Sequence, residues 1–191
     1  MRDYLKSKDF HRHMRSLLAP KFRALGWESQ TAGKCSFARG RRVCWLQVSQ
    51  YSNSLIGAKF TINMTEGSGS AGDIRRLRRL DEADRAFGKA LEETIIARLA
   101  RPDPDSEIEV VGDNGGTVLV KLGDLARANP RQWEIPSDVW LPYFSKGDVD
   151  DWAAFLLPRL ERMTAPCSPE VIDPQLWAQR FCRFIGSFRS K

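Results

Sequence analysis

Arginine presents five donors in a planar fork that suits phosphate or carboxylate. This chain gathers seven arginines into two clusters: Arg39, Arg41 and Arg42, then Arg75, Arg76, Arg78 and Arg79. Phe37 and Trp45 flank the first cluster, and interleaved basic and aromatic groups are what single-stranded nucleic acid binds. No RNP, KH or helix-turn-helix signature accompanies them. A solvated arginine face is the commoner meaning of such clusters. His11 and His13 stand two apart and point to different sides of a helix, so they form no ligand pair and read as surface histidines. The four cysteines, Cys35, Cys44, Cys167 and Cys182, contain no C-x-x-C pair and lie far from both histidines, which leaves zinc spacing absent. Cys35 and Cys44 can approach across a hairpin, but buried free thiols are the expected state in a chain without export signals.

The run Gly67-Ser68-Gly69-Ser70-Ala71-Gly72 satisfies G-x-G-x-x-G. The strand before it alternates, whereas a dinucleotide-binding strand is apolar throughout. The helix after it opens Ile74-Arg75-Arg76-Leu77-Arg78-Arg79, too polar to lie on a parallel sheet. No nicotinamide, flavin or other cofactor is therefore expected, and the run reads as a flexible loop, with a phosphate-cradling role as the alternative. The sequence has no G-x-S-x-G, H-E-x-x-H or Walker loop. Its adjacent acids, Glu92-Glu93 and Asp150-Asp151, do not share a helical face. A hydrolytic carboxylate pair can still assemble across a fold, so a hydrolase stays open as a second alternative.

The elements that position these residues centre on Lys34 to Thr65. Ala58, Phe60, Ile62 and Met64 alternate with Lys59, Thr61, Asn63 and Thr65, a period of two. In the preceding strand Cys44, Leu46 and Val48 share the dry face. Trp45, Gln47 and Ser49 then turn outward with Lys59, Thr61 and Asn63. Links this short permit only antiparallel neighbours. Before the sheet, Phe10, Met14, Leu17, Leu18, Phe22 and Leu25 make a helical stripe, with Ser7 as its cap, Gly26 as its stop and, because Pro20 lies inside it, a kink or break expected near Ala19. After it, Ala83, Phe87, Leu91, Ile95 and Leu99 make another stripe. Asp113-Asn114-Gly115-Gly116 marks a hairpin over residues 107–122. Trp133 and Ile135 suggest an extended piece. Val149, Trp152, Ala153, Leu156, Leu160 and Met163 form a third stripe, flawed at Pro158. Asp173 and Pro174 then open a terminal helix with Trp177, Phe181, Phe184 and Phe188 on one face. Together these predict a single α+β domain over residues 1–191. Its one antiparallel sheet has roughly four to six strands, with helices of residues 8–25, 81–99 and 148–164 mainly on one face.

At 191 residues and 42% hydrophobic composition the chain can build a core. No apolar run approaches the roughly 20 residues of a membrane helix. The charged start, Met1 to Phe10, lacks a signal peptide's apolar segment, so a cytoplasmic protein without a membrane role is expected. The net charge of +6 is uneven: residues 1–50 hold eleven bases against three acids, and residues 101–150 hold ten acids against five bases. Binding driven by phosphate usually shows as one dominant basic surface instead.

The helix ending Leu25-Gly26-Trp27, the Phe37-x-Arg39 strand, Val43-x-Trp45-Leu46-Gln47-x-Ser49 and Phe60-Thr61-Ile62-Asn63 resemble the bacterial domain-of-unknown-function family forty-three-oh-four. Its members pair a helix ending in Gly-aromatic with a Gln-x-Ser strand and a Phe-x-x-Asn strand. The resemblance covers residues 8–65, and Trp133 and Leu156-Leu157-Pro158 are similar in kind. It implies a cytoplasmic bacterial α+β domain and carries over no activity. The hairpin after Pro104 and the arginine-rich helix start depart from the family pattern. From the residues, the expectation is a non-enzymatic module, immunity-type or regulatory, that binds another protein through Trp45, Gln47, Ser49, Lys59, Thr61 and Asn63. Nucleic-acid binding through the seven arginines is the alternative.

Overall fold

In the computed structural model the described residues are 5–30, 33–50, 58–65, 76–100, 107–111, 116–121, 133–135 and 139–166. Helix α1 (Ser7–Ala24) buries Phe10, Met14, Leu18 and Phe22 completely. That four-residue rhythm drifts slowly around a 3.6-residue helix, so one side stays apolar. Two details differ from expectation. Ser7 is already helical, Lys6 holds the cap position without a side-chain bond, and Asp9 supplies the acidic first turn. The helix also runs through Pro20 without a break. Pro20 and Ser16 are both exposed, so the Ser16 carbonyl that Pro20 cannot bond faces water.

Gly26 ends α1 at φ 77°. Its N–H donates to the Arg23 carbonyl, and the Trp27 N–H donates to the Phe22 carbonyl, both at 2.9 Å. This is a Schellman turn, which requires the left-handed conformation glycine adopts without strain. Trp27 closes it by standing edge-on to Phe22, ring centres 5.8 Å apart.

The chain then forms β1 (Glu28–Ser29), β2 (Ser36–Arg39), β3 (Arg42–Gln50) and β4 (Ala58–Thr65). With β7 (Leu141–Tyr143) they make a five-stranded sheet in the order β1-β2-β3-β4-β7, antiparallel throughout. The register opposes Cys44 to Met64, Leu46 to Ile62 and Val48 to Phe60, as their alternation requires. This inner face receives α1: Phe22 stacks on Phe37 at 3.9 Å and Phe10 on Tyr143 at 4.3 Å.

After β4 a 3-10 turn (Arg76–Arg79) runs against that strand and leads into α2 (Glu82–Ala100). The hairpin of β5 (Glu107–Val111) and β6 (Thr117–Lys121) forms a separate two-stranded sheet. Residues 133–135 form a turn and bend rather than the expected strand, and the extended segment is β7 instead. The Trp133 ring fills the space beside Gly88, where a Cβ would lie 2.7 Å from its Cζ3. Its Nε1 donates to the Glu92 carboxylate.

Helix α3 (Lys146–Leu156) opens with a capping box: Asp148 N–H donates to Ser145 Oγ at 3.3 Å, and Ser145 N–H donates to Asp148 Oδ2 at 2.8 Å. A 3-10 turn over Leu157–Arg159 absorbs Pro158, and α4 (Leu160–Thr164) follows. Val149, Trp152, Ala153, Leu156, Leu160 and Met163 are all buried, as their stripe predicts. Trp152 Nε1 donates to the Pro142 carbonyl at 2.6 Å and so ties α3 to β7. Among the described residues no helix is long and apolar enough to cross a membrane.

The stripe of α2 behaves differently. Ile95 is buried and Leu91 half-buried, but Ala83 is exposed and Phe87 is 57% exposed. The terminal helix at Asp173, the Gly67–Gly72 loop, the Asp124–Asn129 turn, Cys167 and Cys182 lie outside the described residues.

Candidate functional site

The outer face of β3 and β4 follows from the same register. Trp45 opposes Asn63, Gln47 opposes Thr61 and Ser49 opposes Lys59. These side chains share a face as expected, but they do not share exposure. Gln47 is exposed, and Trp45, Ser49 and Lys59 are half-buried, whereas Thr61 is fully buried and Asn63 is 1% exposed. The expected wet face is therefore open along β3 and closed along the middle of β4. Thr61 and Asn63 are removed from the contact surface, because alternation reports direction and not what lies above a strand. Asn63 keeps an indirect part: its Nδ2 donates to Gln47 Oε1 at 2.7 Å and holds that amide in place. Asn63 Oδ1 and Thr61 Oγ1 have no hydrogen-bond partner among the described residues. Lys59 sets its ammonium over the Trp140 ring, 5.7 Å from the centroid, and burial lowers its pKa.

The two arginine clusters meet at the end of α4, but their described members differ in exposure. Arg76 is fully buried, against the expectation of a solvated cluster, and Arg75 lies outside the described residues. Arg42 Nη1 donates to the Thr164 carbonyl at 3.1 Å, and its guanidinium lies 5.0 Å from the Trp27 ring centre. Arg79 Nη1 donates to the Ala165 carbonyl at 3.1 Å. Both therefore serve the carbonyls at the end of α4, where cations are favourable. Arg39, Arg41 and Arg78 are exposed. What reads as a phosphate surface in sequence is divided among a buried group, two helix-end donors and separate surface cations.

His11 is buried at 7% exposure, not a surface residue, and its Nδ1 accepts the Cys35 N–H at 3.2 Å. Burial lowers its pKa, with Lys34 and Arg15 adding to the shift. His13 bridges α1 to α3 through Asp150, Nε2 to Oδ1 at 2.5 Å. Ser16 stands one turn on, but its hydroxyl donates to the His13 backbone carbonyl at 2.7 Å and not to the imidazole. The three do not align as nucleophile, base and orienting acid. Cys35 and Cys44 are both buried free thiols. Burial pushes Cys44 up to about 12 and Cys35 higher still, so neither is a thiolate near neutral pH. Among the described residues no cluster of three His, Cys, Asp or Glu could hold a metal.

An open surface groove of about 510 Å³ is lined by Asp84, Pro158, Arg159, Glu161, Arg162 and Ala165. Arg159 Nε meets Asp84 Oδ1 at 2.7 Å, and Arg162 Nη1 meets Asp81 Oδ2 at 2.6 Å. Asp84 also meets Arg162. The charges satisfy one another, so this is a strap between α2 and the end of the α3–α4 segment. Sequence reasoning missed it, although both pairs are spaced by three, the spacing of neighbours on one helix face.

Comparison of the chain with family models, with curated proteins and with solved structures finds no match. The resemblance to the family named above rests on the quoted motifs alone.

Proposed function

We propose that the chain is a non-enzymatic binding module, immunity-type or regulatory, acting in the cytoplasm, and that it contacts another protein through the outer row of β3. Trp45, Gln47 and Ser49 stand two residues apart on the central strand of the sheet. The Asn63–Gln47 hydrogen bond carries this reading, because a polar group fixed before contact loses less entropy on binding. Trp45 supplies the aromatic anchor that protein interfaces favour. Lys59, over Trp140, borders the row.

A protein partner is preferred to nucleic acid because of where the arginines go. Arg42 and Arg79 spend donors on the α4 carbonyls, and Arg76 is buried, which leaves Arg39, Arg41 and Arg78 as the exposed members of the two clusters among the described residues.

The test is an affinity capture with the wild-type chain, followed by measurement of Kd for the captured protein. Trp45→Ala and Gln47→Ala should each weaken binding at least tenfold while leaving the melting temperature within a degree or two. Asn63→Ala should weaken it less, because it only releases Gln47. Micromolar binding of fluorescent oligonucleotides with a steep salt slope, lost in the Arg39, Arg41 and Arg42 to Ala variant, would replace this reading with the nucleic-acid one.

A further inference from the structure

The five strands of the main sheet hold a single acid, Glu28 on β1, two strands away from the β3 row. The row itself is bounded by cations. Lys59 stands opposite Ser49 at one end, its ammonium over the Trp140 ring. At the other end Gly40 turns the chain at φ 59° between Arg39 and Arg41, both exposed. Between them Gln47 has its carbonyl oxygen engaged by Asn63 Nδ2, so what it offers outward is an N–H donor. β3 is paired on both edges, by β2 and by β4, so a partner cannot join it as an added strand. Contact must come through side chains.

A row of donors with positive ends calls for acceptors that carry negative charge. We propose that the partner of this row is an acidic protein segment. Its carboxylates would pair with Lys59 and with the Arg39–Arg41 turn, and its apolar part would cover Trp45. The inference rests on the binding reading above and names the chemistry of that partner.

Spacing selects a protein over a nucleic acid. From Arg41 to Ser49 the strand runs about 26 Å, at roughly 3.3 Å per residue. Duplex DNA carries a charge about every 1.7 Å of its axis. Cations placed only at the two ends of the row would leave most of those phosphates unmet. Acids in a protein can stand as far apart as the cations do. Charges at the border of a contact set selectivity and approach more than affinity, so binding should be selective and salt-sensitive.

The test titrates the full chain with fluorescent octapeptides of glutamate and of glutamine, and with an oligothymidylate of the same length. The glutamate peptide is expected to bind about tenfold tighter than the glutamine one, a gap that closes in high salt. Gln47→Glu and Lys59→Glu should each weaken it about tenfold, because a like charge then faces the probe. Lys59→Arg should keep the affinity. Gln47 is exposed, so Gln47→Glu keeps the result readable even where Lys59→Glu fails to fold. Equal or undetectable binding of the two peptides would overturn the proposal. So would glutamate binding that Gln47→Glu leaves unchanged. Tighter binding of the oligothymidylate, weakened by the same variants, would make nucleic acid the occupant instead. A captured protein whose binding Trp45→Ala weakens and Gln47→Glu strengthens would keep the outer row as the contact and overturn only its acidic partner.

Discussion

Helices α1 and α2 carry stripes of the same period and meet opposite fates. Phe10, Met14, Leu18 and Phe22 disappear into the sheet, whereas Ala83 and Phe87 stay exposed, Leu91 is half-buried and Ile95 is fully buried. The difference lies in what each helix faces. α1 spans the inner face of the sheet, where Phe37, Phe60 and Tyr143 present rings to it. α2 packs against β7 and α3 and is strapped at its first turn by Arg159 and Arg162. Periodicity identifies a helix that has an apolar side. It does not identify the surface that side will meet.

The comparison breaks most readily at its largest expected effect. Phe22→Ala should cost about 3–5 kcal/mol, the usual range for emptying a packed aromatic site. Phe87→Ala should cost about 1 kcal/mol, since half its ring is already in water. Urea unfolding of the two variants measures both, and equal losses would show that the stripes are equally engaged.

A second variant sharpens the account of α2 itself. Glycine inside a helix normally gains up to about 1 kcal/mol on replacement by alanine. At Gly88 the sign should reverse, with a loss of about 1–3 kcal/mol, because the new methyl collides with the Trp133 ring. A stabilised Gly88→Ala protein would mean that Trp133 does not rest there.

The smallest effect separates the helices by pH. His11 on α1 has a folded pKa below its ordinary value of 6.5. Below about 6.5 the unfolded chain takes up a proton that the folded one resists, so stability should fall as pH drops through that value toward the folded pKa. Protonation would also turn Nδ1 from acceptor to donor against the Cys35 N–H. The melting temperature should decline from pH 7.5 to 5.5 in the wild type and less in His11→Gln, with His13→Gln as the control on the same helix. Parallel declines in wild type and His11→Gln would assign the loss elsewhere.

Against these measurements, the legible part of the molecule is its local part. The register of β3 on β4 follows from alternation, because slipping by one residue would turn Phe60, Ile62 and Met64 to the wrong side. The Gly26 stop follows from backbone sterics. The third stripe follows from helical spacing. The illegible features depend on partners distant in the chain. Arg76 looks solvated beside Arg78 and Arg79 until the fold buries it. Thr61 and Asn63 look wet until something covers the middle of β4. β7 is three residues long, too short to signal itself beside Trp133 and Ile135. The candidate site was legible as a set of directions, and two of its six residues, Thr61 and Asn63, were misjudged in exposure for the same reason.

The position of β7 carries a further consequence, for the order in which the protein assembles. Strands β1 to β4 form a meander in which each pairs with the next, so their contacts close short loops. β7 joins β4 only after a separation of about 80 residues, and Arg42 reaches Thr164 across 122. Short closures cost less chain entropy and form sooner. On a ribosome the meander would already be outside while α3 was still being made. Until β7 arrives, β4 is an open edge carrying Phe60 and Ile62, and that interval is when a nascent chain of this topology is most exposed to pairing with a neighbour.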